Sequence, residues 1–592
     1  MRKDFTVRWG LLLILTMTWA FGVMLLQRGI LPENVRVSYE TKRLSQREGT
    51  LPLKFEPNTD DAFSVWITMR LPRRYPHLFQ VFGDDCINEL IVNGRQVNGV
   101  PFCNFETGDT VDLSSHLHAG VNTMFARGNN TNGPGSVNIR VAHTDPTYLI
   151  FLAALSIALL IPFLAITALW KRLRSDSILW GVLCLGAFVR FNYMLMTPHW
   201  LRSYDSDGHV DYIQYLLTNL ALPPPHGGWQ FYHPPLYYFC AALWVTITET
   251  VFGVAHTVFT ENLQIFSLVL SVGSLGVCVW LSGILFEESK ERMDRALFLL
   301  LMAVFPGFVF FASRINNDLL LILFSFLSTG FLLRFWKNGH KREALIAMCF
   351  AALALLTKTN ALVLAGVILA CIALRPGTSR KQKIGIFSSC VLLLLLMTGW
   401  FFGPRFMDER NGKTFIVGNI TSLDSTLLVP NTATALTVFN PVGVISHPFN
   451  HSRDDAERRQ YFPEFFYKSA FFGEFMFATH LRPIAQSLLL LGMVSLILIV
   501  IGAIWTVRRC NDAVPLLLLT CGSLVAHSAY RILSPYSSIQ DFRYSIILMI
   551  PLAAFAVRGA RSLSEPWRSL ASSLLLALAF ASTVFLFALF TA

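Results

Sequence analysis

The chain reads as a polytopic α-helical membrane protein with about thirteen transmembrane helices and an extracytoplasmic all-β domain near its N-terminus. Three observations lead there. Of the 592 residues, 53% are hydrophobic and only 14% are charged, against roughly 25% charged in soluble domains. Apolar runs long enough to span a bilayer, about 20 residues each, recur along most of the sequence. Residues 31–146 alone break that pattern, with short alternating strands and frequent turn residues.

In chain order, Arg2, Lys3 and Arg8 precede the apolar run 9–26. No convincing small-residue cleavage site follows, so residues 1–30 read as an uncleaved anchor whose basic flank keeps the N-terminus cytoplasmic. In residues 31–146, the runs 63–69 and 90–92 alternate apolar and polar, and Asn93-Gly94, Asn98-Gly99 and Gly133-Pro-Gly135 punctuate them. That is all-β spacing. Residues 147–174 return the chain to the cytoplasm, where Lys171, Arg172 and Arg174 wait. Residues 175–592 then form the main membrane domain, with external loops at 197–262 and 403–482.

Charge fixes the orientation of that domain. If segments 235–258 and 263–285 both spanned, Lys290, Arg292, Arg295 and every later basic loop would fall outside. Laying 235–258 along the outer interface restores positive-inside at every loop. Crossings then follow at 177–196, 263–285, 297–312, 319–335, 344–356, 361–374, 384–402, 484–506, 513–530, 545–557 and 569–591. The net charge of +11 is therefore a topology signal, and nucleic acid is not an expected partner. Of the ten cysteines, most lie in apolar segments and read as small core residues. Cys86 and Cys103 both fall in the β domain and are disulfide candidates in an oxidising compartment.

Under this topology the polar motifs converge on one membrane face. They are Ser203-Tyr-Asp-Ser-Asp-Gly-His-Val-Asp-Tyr-Ile213, Phe231-Tyr-His-Pro-Pro-Leu-Tyr-Tyr238, Ser313-Arg-Ile-Asn-Asn-Asp318, Leu356-Thr-Lys-Thr-Asn360 and Gln540-Asp-Phe-Arg-Tyr544. Carboxylates and cations at a bilayer surface are costly to keep without a task. Their combination suits chemistry with a phosphate leaving group: a carboxylate takes a proton from the nucleophile, and cations stabilise the departing phosphate.

The β region 84–123 resembles the galactose-binding-like jelly roll appended to carbohydrate enzymes, where a structural role and glycan binding are both open. The order of an acidic first external loop, Pro-Pro-Leu-Tyr-Tyr, Ser-Arg-x-x-x-Asp and Leu-Thr-Lys resembles the GT-C superfamily of membrane glycosyltransferases. The nearest branch holds protein O-mannosyltransferases and lipid A aminoarabinose transferases. The resemblance implies an inverting transfer from a polyprenyl-phosphate-linked sugar that enters from the membrane lipids, with a protein, lipid or glycan acceptor. It makes Asp205 or Asp207 the catalytic base. It makes His209, Tyr232, His233, Arg314, Asp318, Lys358 and Arg543 candidates for holding the donor and its phosphate. His233 replaces the lysine that the aminoarabinose transferases carry before Pro-Pro. The family works with or without a divalent metal; Asp205, Asp207 and Asp318 would supply its ligands here. A bacterial inner membrane, with the site on its external face, is the expected location. A glycolipid flippase would instead predict internal repeats and midplane charges, and an O-antigen ligase or polymerase would lack the Asp-x-Asp loop.

Overall fold

The computed structural model describes residues 32–146 and 177–589, apart from 42–43, 50, 52, 55–60, 74, 85, 105–107, 131–135, 143–144, 198, 200, 253, 255–258, 287–290 and 411–424. The expected anchor at 1–30 and the linking span at 147–174 lie outside the described residues. The chain divides into two compact units, one strand-rich and one helical.

The strand-rich unit is a sandwich of two antiparallel sheets. Six strands run in the order β2 (Leu44–Gly49), β1 (Glu33–Thr41), β4 (Asp61–Leu71), β9 (Gly120–Asn130), β6 (Cys86–Val92) and β7 (Arg95–Gln96), and four in the order β3 (Leu53–Lys54), β10 (Ser136–Val141), β5 (Leu78–Asp84) and β8 (Asp109–Asp112). The central pair, β4 (Asp61–Leu71) and β9 (Gly120–Asn130), stays in register from Asp61↔Asn130 to Leu71↔Gly120. Phe63, Val65, Ile67, Met69 and Leu71 of β4 all turn inward, the two-residue period of a strand with one buried face. They meet Phe79 and Val81 of β5 (Leu78–Asp84) and Val137 and Ile139 of β10 (Ser136–Val141). The Asn93-Gly94 signal is a two-residue hairpin turn between β6 (Cys86–Val92) and β7 (Arg95–Gln96), with Val92 opposite Arg95. Both turn residues have positive φ, as the tight hairpin turn requires.

Cys86 and Cys103 are disulfide-bonded, closing a loop of 17 residues. Replacing Cys86 by Ser is expected to destabilise this unit by about 3 kcal/mol, by restoring entropy to the unfolded chain. Hydrogen exchange on the full-length protein would show it as lost protection in β6 and β9.

Among the described residues of the helical unit, eight helices are long and apolar enough to cross a membrane. The bent pair Arg292–Val304 and Pro306–Ser313, which turns by 59°, is a ninth candidate by length and composition. Among the described residues, each crossing expected between 177 and 589 coincides with helix. Of the expected crossings, two lie outside the described residues and two more fall on shorter helices, Lys341–Leu355 at 15 residues and Leu362–Leu374 at 13. The segment expected to lie along the interface contains the 17-residue helix Leu236–Phe252. Its Phe239, Leu243, Ile247 and Val251 form an exposed apolar stripe, while Tyr237, Tyr238, Ala241 and Val245 are buried.

Two packing devices organise the bundle. Arg190 is fully buried and stacks on Phe308. It donates to Ser271 Oγ and to the carbonyls of Gly186, Ala303 and Met302, so no buried donor is stranded. Elsewhere Gly502 and Gly559 let the helices Arg482–Arg509 and Met549–Ser562 touch backbone to backbone. A Cβ on Gly559 would overlap the Leu498 carbonyl, and one on Gly502 the Phe555 carbonyl. Gly559→Val should therefore force these helices apart and cost about 1–3 kcal/mol or more, visible as a lower melting temperature in detergent.

Candidate active site

A cavity of about 610 Å³ gathers the sequence motifs. Its polar end is lined by Asp205, His209, Tyr232, His233, Asp318, Lys358 and Arg543; Leu321, Leu355, Leu394, Phe402 and Leu519 line the apolar remainder. Seven of the nine candidate side chains thus share one space.

Local structure explains how they arrive. Asp205 is the N-cap of the helix Ser206–Asn219, but its side chain makes no capping bond. An N-cap aspartate normally accepts from the first turn. Here Oδ1 instead accepts from Trp229 Nε1 at 3.2 Å, and the carboxylate stays exposed at the cavity. Pro306 ends the preceding helix at Phe305, because proline has no N–H to continue the ladder. The resulting bend carries the chain through Phe310–Ser313 to the Asp318 N-terminus of the next span. Asp318 Oδ1 accepts from Lys358 Nζ at 2.5 Å, and Asn316 Nδ2 donates to Oδ2 at 3.3 Å.

The two histidines stack at 5.8 Å, and both are buried. His209 Nδ1 lies 2.8 Å from the Tyr238 hydroxyl. Burial pulls its pKa down to about 3, helped by the charge of Lys358. Burial also holds His233 well below the usual histidine range, so both rings are neutral at physiological pH. His233 Nδ1 and Gln230 Oε1 are buried without a hydrogen-bond partner, and both residues line the cavity. His233 therefore cannot act as the charged substitute for a phosphate-binding lysine; it offers a neutral hydrogen bond.

Two candidates stand elsewhere. Asp207 is exposed, lies one residue into the helix and does not line the cavity. A helical step of about 100° per residue turns it away from the side that Asp205 faces. Arg314 is buried beside the cavity rather than in it; its Nε donates to the Arg202 carbonyl at 2.8 Å. The metal-ligand set Asp205, Asp207 and Asp318 is consequently not assembled. Among the described residues no group of three or more His, Cys, Asp or Glu has metal-binding geometry. One of the Asp318 oxygens is taken by Lys358.

Sequence reasoning missed Glu474, a lone acid in the run Phe471-Phe-Gly-Glu-Phe475. A single charge among aromatics was the available signal. Glu474 Oε1 lies 3.9 Å from Arg543 Nη2, and its Oε2 accepts from Ser452 Oγ at 2.9 Å. Burial raises its pKa from 4.5 to about 7, although Arg543 pulls the other way. A carboxyl with a raised folded pKa binds more protons folded than unfolded, so its contribution to stability falls as pH rises from 4.5 to about 7. Glu474→Gln should flatten that loss in a melting-temperature series against pH.

From the expected external loop, His447 and Arg453 contact Glu457 and Thr426 and do not line the cavity. The side chains of Asp408, Glu409, Arg410 and Lys413 lie outside the described set.

Residues 232–401 match the family model for dolichyl-phosphate-mannose-protein mannosyltransferase. Curated protein sequences gave no match. Among solved structures, the Archaeoglobus fulgidus oligosaccharyltransferase in its apo form aligns with a TM-score of 0.40 and 13% identity, over 70% of this chain and 56% of its own. The oligosaccharyltransferase AglB from the same organism, in complex with an inhibitory peptide and a dolichol-phosphate, gives 0.41 and 12%, over 70% and 56%. Arabinosyltransferase EmbB from Mycobacterium smegmatis gives 0.32 and 11%, over 94% and 53%. The chain spans little more than half the length of each of these proteins. The matched stretch contains the Pro-Pro-Leu-Tyr-Tyr, Ser-Arg-x-x-x-Asp and Leu-Thr-Lys motifs.

Proposed function

We propose that the chain transfers a sugar from a polyprenyl-phosphate carrier to an acceptor hydroxyl by inverting displacement at the external face of a bacterial inner membrane. One observation carries this reading: a single cavity joins an exposed carboxylate, two cations and a long apolar wall. Asp205 takes the proton of the acceptor hydroxyl as its oxygen attacks the anomeric carbon. The bond from that carbon to the carrier phosphate breaks on the opposite side, and the electron pair leaves with the phosphate. Arg543 and Lys358 stabilise the new negative charge, and the apolar wall takes the start of the prenyl chain. Mannose is the sugar that the family match favours.

The test is transfer from a radiolabelled polyprenyl-phosphate mannose by the purified full-length protein, with Arg543→Gln beside it. Turnover that falls at least about 10-fold in the variant, through weaker charge stabilisation, supports the reading. Turnover from a nucleotide sugar alone, or donor movement across vesicles without transfer, would replace it with a soluble-donor enzyme or a flippase.

A further inference from the structure

The structure assigns Tyr204 as a positioning residue that holds the Asp205 carboxylate and the Arg543 guanidinium in one fixed relation, so that proton removal and phosphate departure are aimed at the same donor. This rests on the roles given to Asp205 and Arg543 above.

The segment leading into Asp205 is strained. Arg202, Tyr204 and Asp205 have φ of 53°, 47° and 58°. Aspartate tolerates the left-handed region, but a bulky tyrosine there is an outlier that surrounding contacts must enforce. Those contacts run through the Tyr204 side chain. Its hydroxyl donates to Asp541 Oδ2 at 2.5 Å. Its ring lies between two guanidiniums, with Arg543 Cζ 3.9 Å and Arg314 Cζ 4.0 Å from the centroid. Phe475 packs against the ring at 4.7 Å.

The contacts close on themselves. Asp541 Oδ1 accepts from the Arg543 backbone N–H at 2.8 Å, so the group that fixes the tyrosine also fixes the arginine. Arg314 donates back to the Arg202 carbonyl, at the start of the strained turn. This is where Arg314 acts: behind the cavity, as a brace. The Tyr204 hydroxyl is committed to Asp541, which leaves the aspartate next to it as the acid–base group. Motifs 337 residues apart are thus registered against each other by one side chain.

The decisive variant is Tyr204→Phe, which keeps the ring between the cations and removes only the hydroxyl. It should lower kcat about 10-fold, the effect of one hydrogen bond of about 1.4 kcal/mol. The donor KM should stay within about two-fold, with the acidic limb of the kcat/KM profile displaced. Asp541→Asn should give a similar kcat loss, and the double variant should lose no more than either single, because both remove one interaction. Wild-type kcat and pH profile in Tyr204→Phe would overturn the assignment, as would strict additivity with Asp541→Asn. A raised KM at unchanged kcat would make Tyr204 a substrate contact instead. Asp205→Asn in the same assay separates the two levels: full turnover there removes the base reading itself, whereas its loss beside an unaffected Tyr204→Phe removes only the positioning role.

Discussion

Asp205→Asn should lower sugar transfer by about 10³-fold while donor binding survives, and Asp207→Asn should stay within about two-fold of wild type. The contrast follows from geometry that the motif alone could not decide. Asp-x-Asp offers two carboxylates two residues apart, and on a helix such neighbours face different ways. The helix begins at Ser206, so Asp205 stands outside it in a left-handed turn and lines the cavity, while Asp207 is already in the first turn. Asparagine preserves the size of the Asp205 side chain and can still accept from Trp229, so loss of turnover would report the missing base and not a collapsed loop. Binding of a polyprenyl-phosphate analogue by each variant makes the distinction directly. Equal loss in both variants would mean that the two acids act together, and that the cavity's Asp205 is one partner of a pair.

Much of this was legible beforehand, for identifiable reasons. Positive-inside arithmetic needs only loop charges and hydrophobic lengths, and it placed the 203–213, 231–238, 313–318, 356–360 and 540–544 motifs on one face; seven of the nine site candidates line one cavity. Alternation in 63–69 and the Asn93-Gly94 turn are local signals, and they appear as β4 and a tight hairpin. What stayed hidden depends on direction. Nothing in Ser-Arg-x-x-x-Asp says that Arg314 turns behind Tyr204 while Asp318 turns into the cavity. Likewise His233 carries no charge because of its burial, and its ring packs against His209 of a different motif as well as against its own neighbour Tyr232, a contact the sequence does not show. Glu474 required knowing that the long loop returns to Arg543.

Lys358 and Asp318 should behave as a pair whose halves cannot be removed singly. Both are buried, at 8% and 1% exposure, with Nζ and Oδ1 2.5 Å apart. Taking either away leaves a largely buried charge without its partner, so Lys358→Met or Asp318→Leu alone should cost about 3–5 kcal/mol of stability. The double variant strands neither charge, and buried ion pairs replaced together by apolar side chains are often neutral in stability. Melting temperatures of the four proteins in one detergent therefore form a cycle with a large favourable coupling. Activity gives the second readout. If Lys358 neutralises the leaving phosphate while Asp318 holds the lysine in place, the double variant should regain its fold and remain inactive, at least about 10²-fold down, the usual scale for losing an oriented charge in a site. A double variant that recovers turnover together with stability would reduce the pair to scaffolding and leave Arg543 as the cation that meets the phosphate.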